Sequence, residues 1–167
     1  MPRDANFDPT CHNQVLMLED GYDALLLRVH LIRHARRTID IQTTILANDE
    51  CGRLIMSELF DAARRGVVVR LMVDHFMSAR DTRWIAALTE AHPNLELKYY
   101  RPPAKHAAPP RALELANALV RFKGTNQRLH NKLMLFDGLI GIVGGRNIDN
   151  HYYNLSLIHI SEPTRLL

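Results

Sequence analysis

Hydrophobic and polar positions change their period along the first quarter of the chain. Apolar residues first recur at the three- and four-residue spacing of an amphipathic helix: Tyr22, Leu25, Leu26, Val29 and Ile32. This spacing predicts a helix over residues 22–37, with basic residues in its last turn. From residue 39 to residue 45, β-branched residues occupy alternate positions, which predicts a strand with one buried face.

The next segment repeats this helix-then-strand order. Asp49 predicts the N-cap of a second helix and Gly66 its end. The helix would bury one apolar stripe, made of Ile55, Leu59 and Ala62. Residues 67–73 are apolar except for Arg70, which predicts a strand covered on both faces, as in a parallel sheet.

The same patterns continue to residue 143. They predict a helix at 78–91 opened by Ser78 and Asp81, a strand at 95–99, a proline-rich loop at 101–110, a helix at 110–122, a strand at 129–137 and a strand at 139–143. Asp137 and Gly138 suit a two-residue hairpin turn between the last two strands. This order of elements predicts an α/β sandwich with a mixed sheet.

Composition narrows the class of protein. A length of 167 residues is sufficient for one domain with a core, and a net charge of +3 is too small to indicate a nucleic-acid partner. No run approaches the ~18 apolar residues that a membrane span needs, and the N-terminal segment 1–14 is polar. Cys11 and Cys51 are isolated thiols, which favours a reducing compartment over a disulfide framework.

Residues 130–147 carry the chemistry. On a strand, His130 and Lys132 would project from the same face, so an imidazole and an ammonium would share one pocket. Burying an ammonium is costly without an anionic partner, which predicts an anion beside Lys132. Asn147 adds an amide donor. These groups suit chemistry on a phosphodiester.

The residues around Asn147 and at the hairpin turn are less specific. Gly144 and Gly145 permit backbone geometry that other residues resist. Arg146 suits either a lipid phosphate or a surface salt bridge. Asp137 begins a turn on the face opposite His130, so both a structural and a catalytic role stay open.

The spacing His-x-Lys-x4-Asp-x6-Gly-Gly-x-Asn resembles the signature of the phospholipase D superfamily. Upstream segments resemble bacterial cardiolipin synthases of the C type: Asp23-Ala24-Leu25, Leu31-Ile32-Arg33, Thr38-Ile39-Asp40-Ile41-Gln42, Gly52-Arg53-Leu54 and residues 63–71. The resemblance covers residues 15–154 and is weak over 101–127. Thr43 and Thr44 stand where the synthases have aromatic residues, and Asn150 stands where an acid is common.

The resemblance implies a phospholipase D-like α/β/α sandwich that forms one half of a bilobal enzyme. It implies that the motif histidine attacks phosphorus to form a phosphohistidine, or protonates the leaving oxygen, without metal or cofactor. The implied catalytic residues are His130, Lys132, Asp137 and Asn147, and the implied substrate-binding residues are Gly144, Gly145 and Arg146.

The chain has one copy of a motif that the family uses in pairs. The second copy would come from a missing C-terminal region or from a second subunit, and the carboxylate that orients the motif histidine would fall after Asn154. This predicts that the 167-residue piece is inactive alone.

These features predict a phosphatidyl transferase that makes cardiolipin from anionic glycerophospholipids. It would act in the bacterial cytoplasm at the surface of the inner membrane, with no specific nucleic-acid partner. Two alternatives stay open: a homodimeric phosphodiesterase or nuclease of the same superfamily, and a non-catalytic binding domain that retains the fold.

The last residues differ in character from the rest. Residues 155–165 resemble an in-frame translation of adapter DNA used in sequencing libraries. This predicts native sequence to about Asn154 and a non-native tail over 155–167. The alternative is a native tail in which Pro163 stops an element.

Overall fold

The computed structural model describes residues 14–74, 90, 92–100 and 129–155. The helices are α1 (Gly21–His34) and α2 (Glu50–Arg64); the strands are β1 (Thr38–Thr43), β2 (Val68–Asp74), β3 (Leu95–Tyr100), β4 (Leu133–Phe136) and β5 (Ile140–Val143); a 3-10 turn follows at Asn150–Tyr152. Several predicted elements lie outside the described residues: the proline-rich loop, the helix at 110–122, and the helix at 78–91 except for residue 90. The segments 1–13 and 156–167 also lie outside them.

The strands form one five-stranded sheet in the order β3-β2-β1-β4-β5. Strands β1, β2 and β3 run parallel, whereas β4 is antiparallel to β1 and β5 is antiparallel to β4. Helix α2 supplies the crossover that two parallel neighbours such as β1 and β2 require. The predicted α/β architecture with a mixed sheet is confirmed. Neither described helix has the length and hydropathy needed to cross a bilayer.

Helix α1 is shorter than predicted. It ends at His34, so the prediction that it continues to residue 37 was wrong. The backbone N–H groups of residues 36–38 donate instead to the carboxylate of Asp137, at 2.7–3.2 Å. A distant carboxylate therefore takes the donors that one more helical turn would have used.

Helix α2 follows its prediction. The Asp49 carboxylate accepts a hydrogen bond from the N–H of Gly52 at 2.8 Å and caps the first turn. The predicted stripe is fully buried in the hydrophobic core. Gly66 follows the last turn with a φ of +95°, which glycine adopts without the steric cost of a Cβ atom.

Strand β2 is covered along one face, but its other face is covered only near its last residue, so the prediction of two covered faces was wrong for the first part of the strand. Val69 and Val73 are fully buried, whereas Val68 is 42% exposed and Arg70 is exposed. Arg70 lies opposite Asp40 in the β1–β2 register, and their side chains form an ion pair with an Nε–Oδ1 distance of 2.5 Å. The exposed part of the second face therefore carries an ion pair instead of packing against a second apolar layer.

The β4–β5 hairpin turns at the predicted residues. Asp137 and Gly138 have φ values of +55° and +71°, and the N–H of Leu139 donates to the carbonyl of Phe136 at 2.9 Å. Positive φ at both central positions is the geometry that a hairpin turn favours. Because Phe136 pairs with Ile140, the connection contains three residues, one more than predicted.

The first testable prediction concerns the entry to α2. A Cβ atom on Gly52 would lie 1.8 Å from the carbonyl oxygen of Ala47, so the backbone would have to move. We expect Gly52→Ala to lower the free energy of unfolding by more than about 2 kcal/mol. Gly141→Ala is the matched control, because its Cβ would come no closer than 4.0 Å to Leu135. Urea denaturation of both variants measures the difference, and equal midpoints would contradict this account.

Candidate active site

The predicted site residues His130 and Lys132 lie before β4 rather than on it. The strand begins at Leu133, so the prediction of a strand from residue 129 was wrong. The ladder between β1 and β4 ends at the pair Gln42–Leu133. Residues 129–132, called here the approach segment, are instead held largely by side chains.

Two of these contacts hold the first and the third residue of the approach segment. The N–H of Leu129 donates to the buried carboxylate of Asp74, at the carboxyl end of β2, at 2.9 Å. The amide of Asn131 donates to the side-chain oxygen of Gln42 at 3.0 Å. The segment therefore crosses the carboxyl ends of β2 and β1, the end of an open sheet where ligands commonly bind.

The ammonium of Lys132 is held by two acceptors. Its Nζ atom donates to Thr44 Oγ1 and to the carbonyl oxygen of His130, each at 3.0 Å. Partial burial lowers the pKa of Lys132 from its ordinary value, because desolvation disfavours the charged form. A lysine ammonium has three N–H donors, and partners among the described residues take two of them.

The side chain of His130 is exposed, and no residue of the described ranges forms a hydrogen bond with its imidazole. Its backbone carbonyl accepts a hydrogen bond from Lys132 Nζ. The imidazole is thus tied to the ammonium through the main chain and accessible from solvent. Both features suit a nucleophile that must meet its substrate beside a cation.

Asn147 lies next to the same point of the fold. It is only 3% exposed; its Oδ1 atom accepts from the N–H of Ile45 at 3.2 Å, and its Nδ2 atom donates to the hydroxyl of Tyr152 at 2.9 Å. Lys132 and Asn147 therefore contact consecutive residues, Thr44 and Ile45, which we call the exit of β1. Among the described residues, only Tyr152 accepts from the two amide hydrogens of Asn147.

The glycine pair does not have the backbone geometry that the sequence suggested. Neither Gly144 nor Gly145 has a positive φ, and a Cβ atom on either would meet nothing within 4 Å. The expectation of a conformation that other residues resist was wrong. The space next to each glycine is open, so a ligand could approach the backbone closely at this point.

The guanidinium of Arg146 binds backbone rather than an acidic side chain. It donates to the carbonyl oxygen of Leu18 at 2.8 Å and also to that of Glu19. It therefore fastens the segment before α1 next to the site. Its assignment to a lipid phosphate stays a prediction.

Asp137 has the structural role that the sequence left open. Its carboxylate accepts from three backbone N–H groups after α1, and these bonds, with that from Thr38 contributing most, hold the pKa of Asp137 below its ordinary value. The carboxylate thus joins the β4–β5 turn to the start of β1. Its catalytic assignment stays a prediction.

The family model described as "Cardiolipin synthase, PLD-like domain" matches residues 29–157. The chain belongs to the phospholipase D superfamily. A Helicobacter pylori protein carrying the description "Uncharacterized protein" is 38% identical over 146 residues, or 87% of this chain and 28% of its own length. Cardiolipin synthase C of Escherichia coli is 36% identical over 136 residues, or 81% of this chain and 28% of its own length.

The chain thus spans about 28% of the length of these relatives. Among solved structures, NucT from Helicobacter pylori superposes with a TM-score of 0.53 at 18% identity, over 80% of this chain and 72% of that one. This likeness supports the α/β fold with its mixed sheet. The resemblance to the phospholipase D superfamily and to cardiolipin synthases is confirmed.

Several contacts at this superfamily site were missed from the sequence. Thr44 was noted only as a departure from the synthases, yet it binds Lys132. Asp74 gave one available signal, a carboxylate at the end of a buried strand, and Tyr152 gave none. Within the described ranges, no group of three or more histidine, cysteine or acidic residues is placed to hold a metal ion.

The second prediction tests the role of Asp137. Asparagine tolerates a positive φ but carries no charge, so we expect Asp137→Asn to lower the free energy of unfolding by about 1 kcal/mol at neutral pH. The pKa of Asp137 is lowered by folding, so its stabilisation is present above the unfolded-state pKa and is lost as the pH falls through the folded value.

Urea denaturation at about pH 7 and about pH 3 measures this effect. The difference between the wild-type chain and Asp137→Asn should shrink at the lower pH. Asp61→Asn is the control, because it removes an exposed carboxylate whose ion pair is long. The distance from Asp61 Oδ1 to the Arg64 guanidinium is 3.8 Å. A difference for Asp137→Asn that is independent of pH would contradict a charged capping role.

Proposed function

We propose that this domain supplies one half of the active site of a phosphatidyl transferase that makes cardiolipin. The observation that carries the proposal is the ammonium of Lys132, which donates to Thr44 and to the backbone carbonyl of His130, a residue with an exposed side chain. The name of the Escherichia coli relative, cardiolipin synthase C, supports the lipid substrate.

In the first step, a ring nitrogen of His130 attacks the phosphorus of a phospholipid. A P–N bond forms, the P–O bond to the leaving alcohol breaks, and the leaving oxygen takes a proton from an acid in the second half of the site. The third N–H of Lys132 stabilises charge on a non-bridging oxygen. The other amide hydrogen of Asn147 is a second donor to the same phosphoryl group.

In the second step, the hydroxyl of another phospholipid attacks the phosphohistidine. A new P–O bond forms, the P–N bond breaks, and the hydroxyl proton passes to the group that acted as acid before. His130 is regenerated. No residue of the described ranges is placed as that acid, so a second motif from elsewhere in the protein or from another subunit completes the site.

The substrates are anionic glycerophospholipids at the cytoplasmic surface of a bacterial inner membrane.

A homodimeric phosphodiesterase acting on nucleic acid would use the same first step. Its substrate would carry a nucleoside in place of the diacylglycerol group. A non-catalytic binding domain would keep the fold without using His130 as a nucleophile. These alternatives differ in an observable way, namely which phosphoryl group His130 accepts.

The third prediction isolates the half-reaction. A p-nitrophenyl leaving group needs no proton, which removes the roughly 10²–10⁴-fold contribution of the missing acid. We therefore expect the chain alone to form a phosphatidyl adduct at His130 from phosphatidyl p-nitrophenyl ester, but no cardiolipin from phosphatidylglycerol vesicles. Intact-mass spectrometry at alkaline pH, where the P–N bond survives, measures the adduct.

Two variants and a second substrate complete the experiment. His130→Gln should abolish the adduct, and Lys132→Met should slow its formation about 100-fold. Thymidine 5′-p-nitrophenyl phosphate tests the nucleic-acid alternative. Faster labelling by the thymidine ester would favour the phosphodiesterase. Labelling by neither ester, with the fold intact, would favour the binding domain.

A further inference from the structure

The Lys132 ammonium is anchored by a residue outside the superfamily motif. Gln42 and Thr44 lie two positions apart, at the end of β1 and just beyond it. Gln42 accepts from Asn131, and Thr44 accepts from Lys132, each at 3.0 Å. Two side-chain acceptors near the end of β1 therefore hold Asn131 and Lys132, two consecutive residues of the approach segment.

We propose that Thr44 is a positioning residue of the site, whose hydroxyl fixes the Lys132 ammonium beside His130 as the phosphate-binding cation. The proposal rests on the proposed function, because it assumes that Lys132 binds phosphate. It goes beyond that function in naming a residue that does not itself touch substrate.

The structure shows why a threonine performs this task. A lysine side chain has four rotatable bonds, and the other described acceptor for Nζ is the carbonyl of His130, two residues away on the same segment. Thr44 is 6% exposed, and its β-branched side chain has few rotamers. Its hydroxyl is therefore a fixed point against which the ammonium is placed.

The exit of β1 also positions the side-chain amide of Asn147. The residue after Thr44 donates its backbone N–H to Asn147 at 3.2 Å. Lys132 and Asn147 therefore share one backbone reference, the exit of β1. A change at Thr44 that released Lys132 would separate the cation from the amide without removing either group.

The Thr44–Lys132 bond has a consequence for protonation. An acceptor bonded to an ammonium favours its charged form, whereas the partial burial of Lys132 lowers its pKa. Thr44→Val keeps the shape of the side chain and removes the acceptor, so the pKa of Lys132 should fall further. Thr44→Ser keeps the acceptor and should restore most of the wild-type value.

The experiment uses the full chain labelled with ¹³C and ¹⁵N at lysine. It has four lysines, Lys98, Lys105, Lys123 and Lys132, and Lys132→Met assigns the relevant signal. NMR titration of the Cε and Nζ resonances gives the pKa, and titration with inorganic phosphate gives the affinity. Thr38→Val is the matched control, because it makes the same exchange at the other end of β1.

We expect Thr44→Val to lower the pKa of Lys132 by about 0.5 or more and to weaken phosphate binding at Lys132 several-fold. Thr44→Ser and Thr38→Val should stay near wild type. An unchanged pKa and unchanged phosphate affinity in a folded Thr44→Val chain would overturn the proposal. If Thr44→Val shifts Lys132 but phosphate perturbs Lys132 in no variant, the contact is supported and the phosphate-binding role that underlies the proposed function is overturned.

Discussion

The site depends on the exit of β1, where two segments from the far end of the chain meet consecutive residues. The Lys132 ammonium binds the hydroxyl of Thr44, and the side-chain Oδ1 atom of Asn147 accepts from the N–H of Ile45. These contacts join residues 88 and 102 positions apart in sequence. The backbone helps to place Asn147, because the N–H of the next residue, Ile148, donates to the carbonyl of Ile45 at 3.1 Å. The side chain of Lys132 depends more on Thr44, because the β1–β4 ladder has already ended at Leu133.

The sheet makes that meeting possible by placing β4 directly beside β1. The pairing is antiparallel, so the residues that precede β4 arrive where β1 ends. The carboxylate of Asp137 fixes the opposite end, since it binds the backbone between α1 and β1. Contacts at both ends of β4 therefore fix where this strand lies along β1. They also fix where His130, just before β4, lies relative to the end of β1.

The sequence patterns predicted correctly those features that depend on residues close together in the chain. The helical stripe of α2, its Asp49 cap and the position of the turn at Asp137 each depend on neighbours in sequence, and each was confirmed, although the turn has three residues instead of two. The end of α1 and the start of β4 were predicted wrongly, because Asp137 and the side chains of β1 act across about a hundred residues. The motif marked His130, Lys132 and Asn147 as candidates. Thr44 carried no signal, since a hydroxyl's partner depends on the folded geometry.

The central claim is that His130, Lys132 and Asn147 surround one phosphoryl position. A crystal structure of the chain soaked with tungstate, an anomalous scatterer that mimics phosphate, tests this claim most directly. The account predicts a tungsten peak in contact with Lys132 Nζ, within reach of the His130 imidazole and on the Asn147 side of the open glycine pair. A peak elsewhere on the protein, with none between these three side chains, would contradict it.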